Sequence, residues 1–298
     1  MTETTASLQR KIGSASDLRS VVRTMKALAT ANIGQYERAV NALADYYRTV
    51  ELGLGACFRE PSLAAAMVPR RGAGEVRRIG AVVFGSDQGL VGRFNDIVTE
   101  DVLAALAALP VRARLWAVGE RVHARLTDSG LDVRGLFLVP SSVHGINALV
   151  GQILVATEQD EAQGEVELHL FYNRPTEGSA YAPVRQRLLP LDELWHRELV
   201  QRPWPTRQLP EVMGSGIATL RALIREYLFI SLFRACAESL ASENASRLAA
   251  MERADQNIGD LLTNLRDSFH RLRQGGMDEE LFDVIAGFEA LRLDRLRA

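Results

Sequence analysis

Proline is confined to the middle of this 298-residue chain. All ten prolines lie between Pro61 and Pro210, so residues 1–60 and 211–298 contain none. A proline inside a helix removes a backbone hydrogen bond and costs about 3 kcal/mol. Two long proline-free ends around a proline-containing middle therefore predict two long helices that flank a compact domain.

Lysine is almost as scarce, because only Lys11 and Lys26 among the 35 basic residues are lysines. The chain consequently has no GK[ST] triplet and lacks a Walker A nucleotide-binding loop. With 37 acidic residues the formal net charge is −2, so no overall positive field attracts nucleic acid. If the protein works with ATP, another chain is expected to bind the nucleotide.

Cysteine and histidine are also few. Cys57 and Cys236 are far apart and have no CxxC context, which favours two buried thiols in a reducing compartment. The five histidines show neither an HExxH pattern nor a paired spacing, so no metal site or cofactor is predicted.

There is no signal-peptide core and no run of roughly 18 apolar residues that could span a membrane. We expect a soluble, cytoplasmic protein that can dock on a membrane complex.

Both proline-free ends repeat apolar residues every seven positions. The N-terminal repeat is apolar at every step: Leu8, Ala15, Val22, Ala29, Tyr36, Leu43 and Val50. The C-terminal repeat contains one polar member: Leu223, Ile230, Ala237, Asn244, Met251, Ile258, Leu265 and Leu272. Such stripes are typical of coiled-coil partners, which must run antiparallel if both leave one side of the same domain. After Arg273, Gly275-Gly276 predicts a break, and Asp278 is expected to cap a last helix.

The middle of the chain alternates predicted strands and helices. Strands are expected at residues 76–84, 111–118, 131–139 and 165–172, with helices between them at 94–109, 120–129 and 146–159. This alternation favours right-handed crossovers and a mostly parallel sheet. A turn at residues 173–179 and a strand at 182–189 would add an antiparallel edge.

The predicted fold class is therefore α/β. It combines a long antiparallel coiled coil, made by the two ends, with a Rossmann-like, mostly parallel α/β domain. The predicted division is residues 1–60, 75–190 and 211–298, with connectors at residues 60–74 and 191–210.

Polar residues in three places allow more than one interpretation. The loop at residues 85–92 lies between a strand and a helix, where α/β sheets bind phosphates, but it does not match GxGxxG. A structural turn or a protein contact is therefore favoured there. Charged residues on the exposed part of the C-terminal helix either form a solvated face, with pairs such as Glu243–Arg247, or meet another protein. Asn32 and Asn244 either fix the register of the coiled coil or face solvent.

Four segments, in order along the chain, resemble the gamma subunits of F-type ATP synthases. The segment ESLASENASRLAAM at residues 238–251 is similar to the family signature ENLASEQAARMxAM. The loop SDQGLVGRFN at residues 86–95 is similar to the family's TDRGLCGGLN. The stretch FYNR…APVRQRLLPL at residues 171–191 is similar to the family's YNKF…PTxxQLLPL. The segment LQRKIGSASDLRSVVRTMKALAT at residues 8–30 is similar to the family's first helix. Departures at Asn32, Gln88, Val91 and Asn244 indicate a divergent branch, such as an alternative ATPase operon.

The resemblance implies a rotor that performs no bond chemistry itself. The two ends would form a shaft inside the ring of alternating alpha and beta subunits. The α/β domain would form a foot on the membrane c-ring beside epsilon, at the cytoplasmic side of a bacterial inner membrane. Rotation would couple proton or sodium flow to ATP synthesis or hydrolysis at the beta subunits. The residues carried over for partner contact are Met25, Lys26, Glu243, Arg247, Met251 and Asn257, and those for the foot loop are Ser86, Asp87, Gly89 and Gly92.

Two other functions remain open from the sequence. The turn at residues 85–92 allows a nucleotide-dependent α/β enzyme that uses the coiled coil as a dimerisation arm. The apolar stripes alone allow a structural coiled-coil adaptor without a motor role. ATPase activity of the isolated chain, binding of ATP, NAD or FAD, and the effect of Arg247→Ala on coupling distinguish the three.

Overall fold

The computed structural model describes residues 4–60, 63, 78–107, 113–161, 166–176, 179–191, 193–208, 210 and 216–297. The helices are α1 (Thr5–Phe58), α2 (Phe94–Ala107), α3 (Glu120–Asp128), α4 (Val143–Glu161), α5 (Glu193–Gln201) and α6 (Gly216–Arg297). The strands are β1 (Arg78–Phe84), β2 (Ala113–Val118), β3 (Val133–Phe137), β4 (Val166–Thr176) and β5 (Ser179–Leu189). The predicted alternation of strands and helices in the middle of the chain is confirmed, although several boundaries shift.

The chain divides into two compact units, which we call the sheet unit (residues 29–247) and the end unit (residues 1–28 with 248–298). Both α1 and α6 contribute residues to each unit. None of the described helices combines the length and hydrophobicity that a membrane crossing needs. The predicted connector at residues 60–74 lies almost entirely outside the described residues.

The five strands form one sheet in the order β3-β2-β1-β4-β5. Strand β1 pairs in parallel with β2 and β4, β2 pairs in parallel with β3, and β4 and β5 form an antiparallel hairpin. Successive side chains of a strand point to opposite faces. Val82 and Phe84 of β1 accordingly belong to one buried cluster, which includes residues of α1, α4 and α6, while Ala81 and Val83 belong to another with α2 and α3. Helices on both faces and the antiparallel edge confirm the predicted α/β fold.

Within the sheet unit, α1 and α6 run antiparallel. The Asn32 side-chain amide donates to Asn244 Oδ1 at 3.3 Å, and the Tyr46 hydroxyl donates to Glu226 Oε2 at 2.7 Å. The later residue on α1 thus pairs with the earlier residue on α6, as antiparallel packing requires. The buried stripe members in this unit are Ala29, Tyr36, Val50, Ile230, Ala237 and Asn244. The bond between the two asparagines supports the interpretation that they fix the register of this helix pair.

The end unit contains the beginning of α1 and the last part of α6, again antiparallel. Its apolar cluster consists of Ala15, Val22, Met251, Ile258 and Leu262. Arg19 Nε donates to Asp255 Oδ1 at 2.7 Å, and Lys26 Nζ lies 3.2 Å from Glu252 Oε1. The seven-residue stripes therefore predict the packing of this unit correctly, except at Leu272, which is 41% exposed.

Helix α6 continues through Gly275-Gly276 to Arg297, so the predicted break at the glycine pair is wrong. Asp278 consequently lies inside a helix and is not its N-cap. Glycine in a helix costs about 1 kcal/mol relative to alanine. Two glycines therefore weaken the helix without ending it.

Two predictions about irregular segments of the sheet unit are also wrong. Residues 191–210 are more than a connector, because α5 occupies Glu193–Gln201. Residues 173–176 do not form a turn, since β4 extends through them and pairs with β5. In both places, packing against the rest of the unit overrides the local turn and breaker residues.

Helix α5 packs closely against α1 and α6 in the sheet unit. Leu199 is buried, and the Trp195 ring lies 4.8 Å from the Tyr227 ring between centroids. Arg59 Nε of the segment after α1 donates to the Val200 carbonyl oxygen in the last turn of α5 at 3.0 Å. The segment that links the sheet to α6 is thereby attached to the end of α1.

A Cβ atom at Gly55 would lie 2.7 Å from the Leu199 carbonyl oxygen, which belongs to the backbone of α5. Because a backbone atom cannot move aside easily, we expect Gly55→Ala to lower the free energy of unfolding by about 1–3 kcal/mol. Urea denaturation followed by circular dichroism measures this. The matched control is Gly151→Ala, where a Cβ meets nothing within 4 Å. Equal stability of Gly55→Ala and the parent chain would contradict the close packing of α5.

Candidate functional site

The loop that follows β1 is held by hydrogen bonds to its own neighbours. The Ser86 hydroxyl donates to the Gln88 carbonyl oxygen at 2.9 Å, and the Ser86 backbone N–H donates to Asn95 Oδ1 at 3.0 Å. Asn95 Nδ2 donates in return to Ser86 Oγ at 2.8 Å, and both residues are buried. Ser86 therefore shapes the loop, with Asn95 as the partner that the sequence analysis did not single out.

Asp87 links this loop to two other elements of the sheet unit. Its Oδ1 accepts from the backbone N–H of Glu120, the first residue of α3, at 3.0 Å, and its Oδ2 accepts from the Val139 N–H at 2.9 Å. A carboxylate at a helix N-terminus satisfies a free donor and interacts favourably with the helix dipole. The same negative charge repels phosphate at this helix terminus, so the nucleotide-enzyme interpretation gains no support here.

The tip of the loop has left-handed backbone at two positions. The φ angles are +62° at Leu90 and +56° at Gly92. Glycine adopts this region freely, whereas a leucine there is strained by roughly 1–2 kcal/mol. Leu90 is also 62% exposed, and a Cβ atom at Gly89 would lie 3.9 Å from the end of the Arg121 side chain. An exposed leucine on a strained turn supports a protein contact at this loop.

Two serines attach α6 to the carboxyl edge of the sheet. Ser246 Oγ donates to the Val91 carbonyl oxygen in the loop, and Ser242 Oγ donates to the Asn173 carbonyl oxygen of β4 at 3.1 Å. The Asn173 side-chain amide donates in turn to the Phe94 carbonyl oxygen at 2.9 Å. The segment that resembles the family signature is thus bonded to both the loop and the neighbouring strand.

Glu243 and Arg247 form the predicted i,i+4 ion pair, but not on an exposed face. Arg247 Nη2 donates to Glu243 Oε1 at 2.6 Å, and the two side chains are only 13% and 7% exposed. The predicted exposure of these residues is therefore wrong, and the loop after β1 lies against this part of α6, where the Val91 carbonyl oxygen accepts from Ser246. Among the described residues, Glu243 Oε2 has no hydrogen-bond partner. Burial raises the pKa of Glu243; the Arg247 guanidinium opposes that rise and the Asp87 carboxylate adds to it.

A second ion cluster lies earlier on α6. Buried Glu238 accepts from Arg174 Nε of β4 at 2.6 Å and from Arg234 Nε at 2.7 Å. Arg174 also donates to the Tyr172 hydroxyl. Burial and the Glu238 charge raise the pKa of Tyr172 to about 12. Arg174 was not predicted as a site residue, since nothing in the local sequence pattern around it indicates a partner on a distant helix.

The end unit holds the remaining carried-over residues in different surroundings. Met251 is 3% exposed in the core of this unit, and partly buried Met25 packs against that core. Lys26 forms its ion pair with Glu252, and Asn257 is exposed. Contact of these residues with another subunit stays a prediction.

The carried-over residues are divided between the two units. Glu243, Arg247 and the loop belong to the sheet unit, whereas Met25 and Met251 belong to the end unit. In the part of the chain that the structure describes, no cluster of histidine, cysteine, aspartate or glutamate could hold a metal ion. The carried-over residues form hydrogen bonds, ion pairs and apolar contacts, which are the interactions that protein surfaces use to bind one another.

The sequence matches a known family along almost its whole length. A sequence model of the ATP synthase family matches residues 4–291. An ATP synthase gamma chain of Glaesserella parasuis serovar 5 is 25% identical over 295 residues, which cover 95% of this chain and 98% of that relative. An ATP synthase gamma chain of Anaeromyxobacter sp. is 27% identical over 307 residues, covering 96% and 98%.

Solved structures of ATP synthases share the fold. A chain in the OSCP/F1/c-ring structure of Euglena gracilis mitochondrial ATP synthase has a TM-score of 0.61 at 15% identity, covering 98% of this chain and 95% of that one. A chain in the central stalk/c-ring structure of Tetrahymena thermophila mitochondrial ATP synthase has a TM-score of 0.54 at 22% identity, covering 78% and 99%. At these identities the likeness concerns the fold.

Because the pKa of Glu243 is raised in the folded chain, the folded state binds a proton there more tightly than the unfolded state. Stability from this group is therefore present below the unfolded pKa of about 4.3 and is lost as the pH rises through the folded pKa. We expect the parent chain to gain stability relative to Glu243→Gln as the pH falls from 7 towards 4.5, measured by urea denaturation. The exposed Glu280→Gln is the control. A stability difference between the parent and Glu243→Gln that is constant with pH would contradict the raised pKa.

Proposed function

The chain belongs to the ATP synthase family as a gamma subunit, and we propose that it is the central-stalk rotor, which couples ion flow through a membrane c-ring to ATP synthesis or hydrolysis at the beta subunits. The observation that carries this proposal is the family match over residues 4–291, which includes both long helices and the sheet. The chain itself would perform no bond chemistry. Its contribution would be to transmit torque.

The proposal assigns residues 1–60 and 211–298 to the shaft and residues 75–190 to the foot. The proposed partners are the alpha and beta subunits of the catalytic ring, the c-ring and epsilon, at the cytoplasmic side of a bacterial inner membrane. Structures that share this fold come from ATP synthase assemblies described as rotor, central stalk/c-ring and OSCP/F1/c-ring, which supports the catalytic ring and the c-ring as partners. The divergent sequence fits an alternative ATPase operon.

A rotor needs a firm connection between its shaft and its foot. In the sheet unit, Ser242 and Ser246 bond α6 to β4 and to the loop, and buried Glu238 of α6 forms an ion pair with partly exposed Arg174 of β4. Buried hydrogen bonds and ion pairs resist displacement because breaking them leaves an unpaired polar group. We propose that torque passes between α6 and the sheet through these contacts.

The six proposed partner-contact residues differ in what they offer to a partner. Lys26 and Asn257 present polar groups at the surface of the end unit. Met251 and Glu243 are buried and would act by holding the helices in place. Arg247 lies between these cases, since its guanidinium is bonded to Glu243 yet remains partly accessible.

We expect the purified chain to hydrolyse no ATP and to restore ion-coupled ATP hydrolysis to a complex that lacks its gamma subunit. Calorimetric titration of the chain with millimolar ATP, NAD and FAD is the parallel measurement, and no heat of binding is expected. Appreciable ATPase activity or nucleotide binding by the isolated chain would favour the enzyme with a dimerisation arm. Failure of the well-folded chain to restore coupling would favour the adaptor.

Arg247→Ala is expected to reduce ion pumping per ATP severalfold in the reconstituted complex if Arg247 contacts a partner. The single variant also leaves Glu243 as a buried charge without a counter-ion, which destabilises the fold. The double variant Glu243→Gln/Arg247→Ala removes both charges and should regain thermal stability while pumping stays low. Exposed Arg253→Ala is the control on the same helix. Recovery of pumping in the double variant would contradict a contact by Arg247.

A further inference from the structure

Helix α6 extends beyond the beginning of α1 and is unpaired there among the described residues. The ion pair of Arg19 with Asp255 sets an antiparallel register, in which Thr5, the first residue of α1, lies opposite the turn of α6 near Phe269. Every described side chain from residue 271 to residue 286 is exposed. This last part of the helix therefore lacks the tertiary packing that stabilises most helices in proteins.

The glycine pair Gly275-Gly276 stands at the beginning of this unpaired segment, where nothing in the structure requires glycine. Neither residue has a positive φ angle, and a Cβ at either would meet no atom within 4 Å. Each glycine disfavours the helix roughly fivefold relative to alanine. The helix is thus weakened in its first unpaired turns, where no described neighbour compensates.

The residues after the glycines favour a helix that starts anew. Asp278, Glu279 and Glu280 follow within four positions of Gly276. Carboxylates stabilise the N-terminus of a helix through its free N–H groups and its dipole. Inside a continuous helix they meet no such terminus, and Glu279 and Asp283, an i,i+4 pair, repel each other. These carboxylates would therefore stabilise a helix that restarts after the glycines. In the continuous helix they have no N-terminus to stabilise.

We propose that Gly275-Gly276 is a joint with two states. In one, α6 is continuous, as in the structure. In the other, it is interrupted at the glycines and restarts at Asp278, so that residues 277–297, the tip helix, change direction relative to the paired part. The exposed apolar side chains of Met277 and Phe282 turn with the tip helix. This inference concerns the chain itself and does not depend on the proposed function.

Double electron–electron resonance on the full chain tests the joint. The spin labels are placed at Asn264→Cys and Phe282→Cys, five helical turns apart across the glycines and about 27 Å from each other in a continuous helix. The reference pair, Arg253→Cys and Arg271→Cys, has the same spacing before the glycines. All four positions are exposed, and buried Cys57 and Cys236 are replaced by alanine.

The parent chain should show a second, shorter distance for the pair across the joint and one narrow distance for the reference pair. Gly275→Ala/Gly276→Ala should reduce the shorter population at least about fivefold, since two replacements together favour the helix roughly 25-fold. Gly13→Ala, the same change at an open position of α1, should leave that population unaltered. A single narrow distance across the joint in the parent chain, or a shorter population that the double variant leaves unchanged, would overturn the joint.

Discussion

The close approach of α6 to the sheet is the constraint on which the rest of the sheet unit depends. Ala237, Ala241 and Ser242 are almost completely buried, and such small side chains let the helix backbone come near its neighbours. A helix at that distance brings its polar groups out of water, so each needs a partner. The serines meet carbonyl oxygens of the loop after β1 and of β4, and the position of the loop therefore follows from the position of the helix.

Burial also changes what the charged residues of α6 do. Glu238 has two arginine partners and satisfies both of its oxygens, whereas Glu243 has one and leaves an oxygen without a partner. Taking a carboxylate out of water is unfavourable unless charge and hydrogen bonds replace the water. Glu238 is thus a fully compensated buried charge, and Glu243 is an incompletely compensated one, which is why its pKa is raised.

The polar groups of α6 serve attachment in both units. In the sheet unit they connect helix, loop and strand, and in the end unit Asp255 of α6 accepts from Arg19 and Arg23 of α1. Where α6 leaves its partner, packing gives way to exposed apolar residues and a glycine pair. The helix therefore has a well-packed body and an end, residues 271–286, whose side chains are all exposed.

The sequence alone determined the two long helices, their antiparallel pairing and the α/β alternation. Each of these depends on patterns of neighbouring residues: the absence of proline, the seven-residue apolar repeats and the alternation of strand and helix segments. It also gave the i,i+4 pair of Glu243 with Arg247 and singled out Asp87, although it could not give the partners of Asp87. Only the tertiary structure decided that Glu243 is buried, that Arg174 meets Glu238, that β4 runs through residues 173–176 and that α5 forms beside Gly55. Each of these depends on which distant element covers a residue. Burial by a neighbour removes water and supplies a partner, and no local pattern in the chain contains that information.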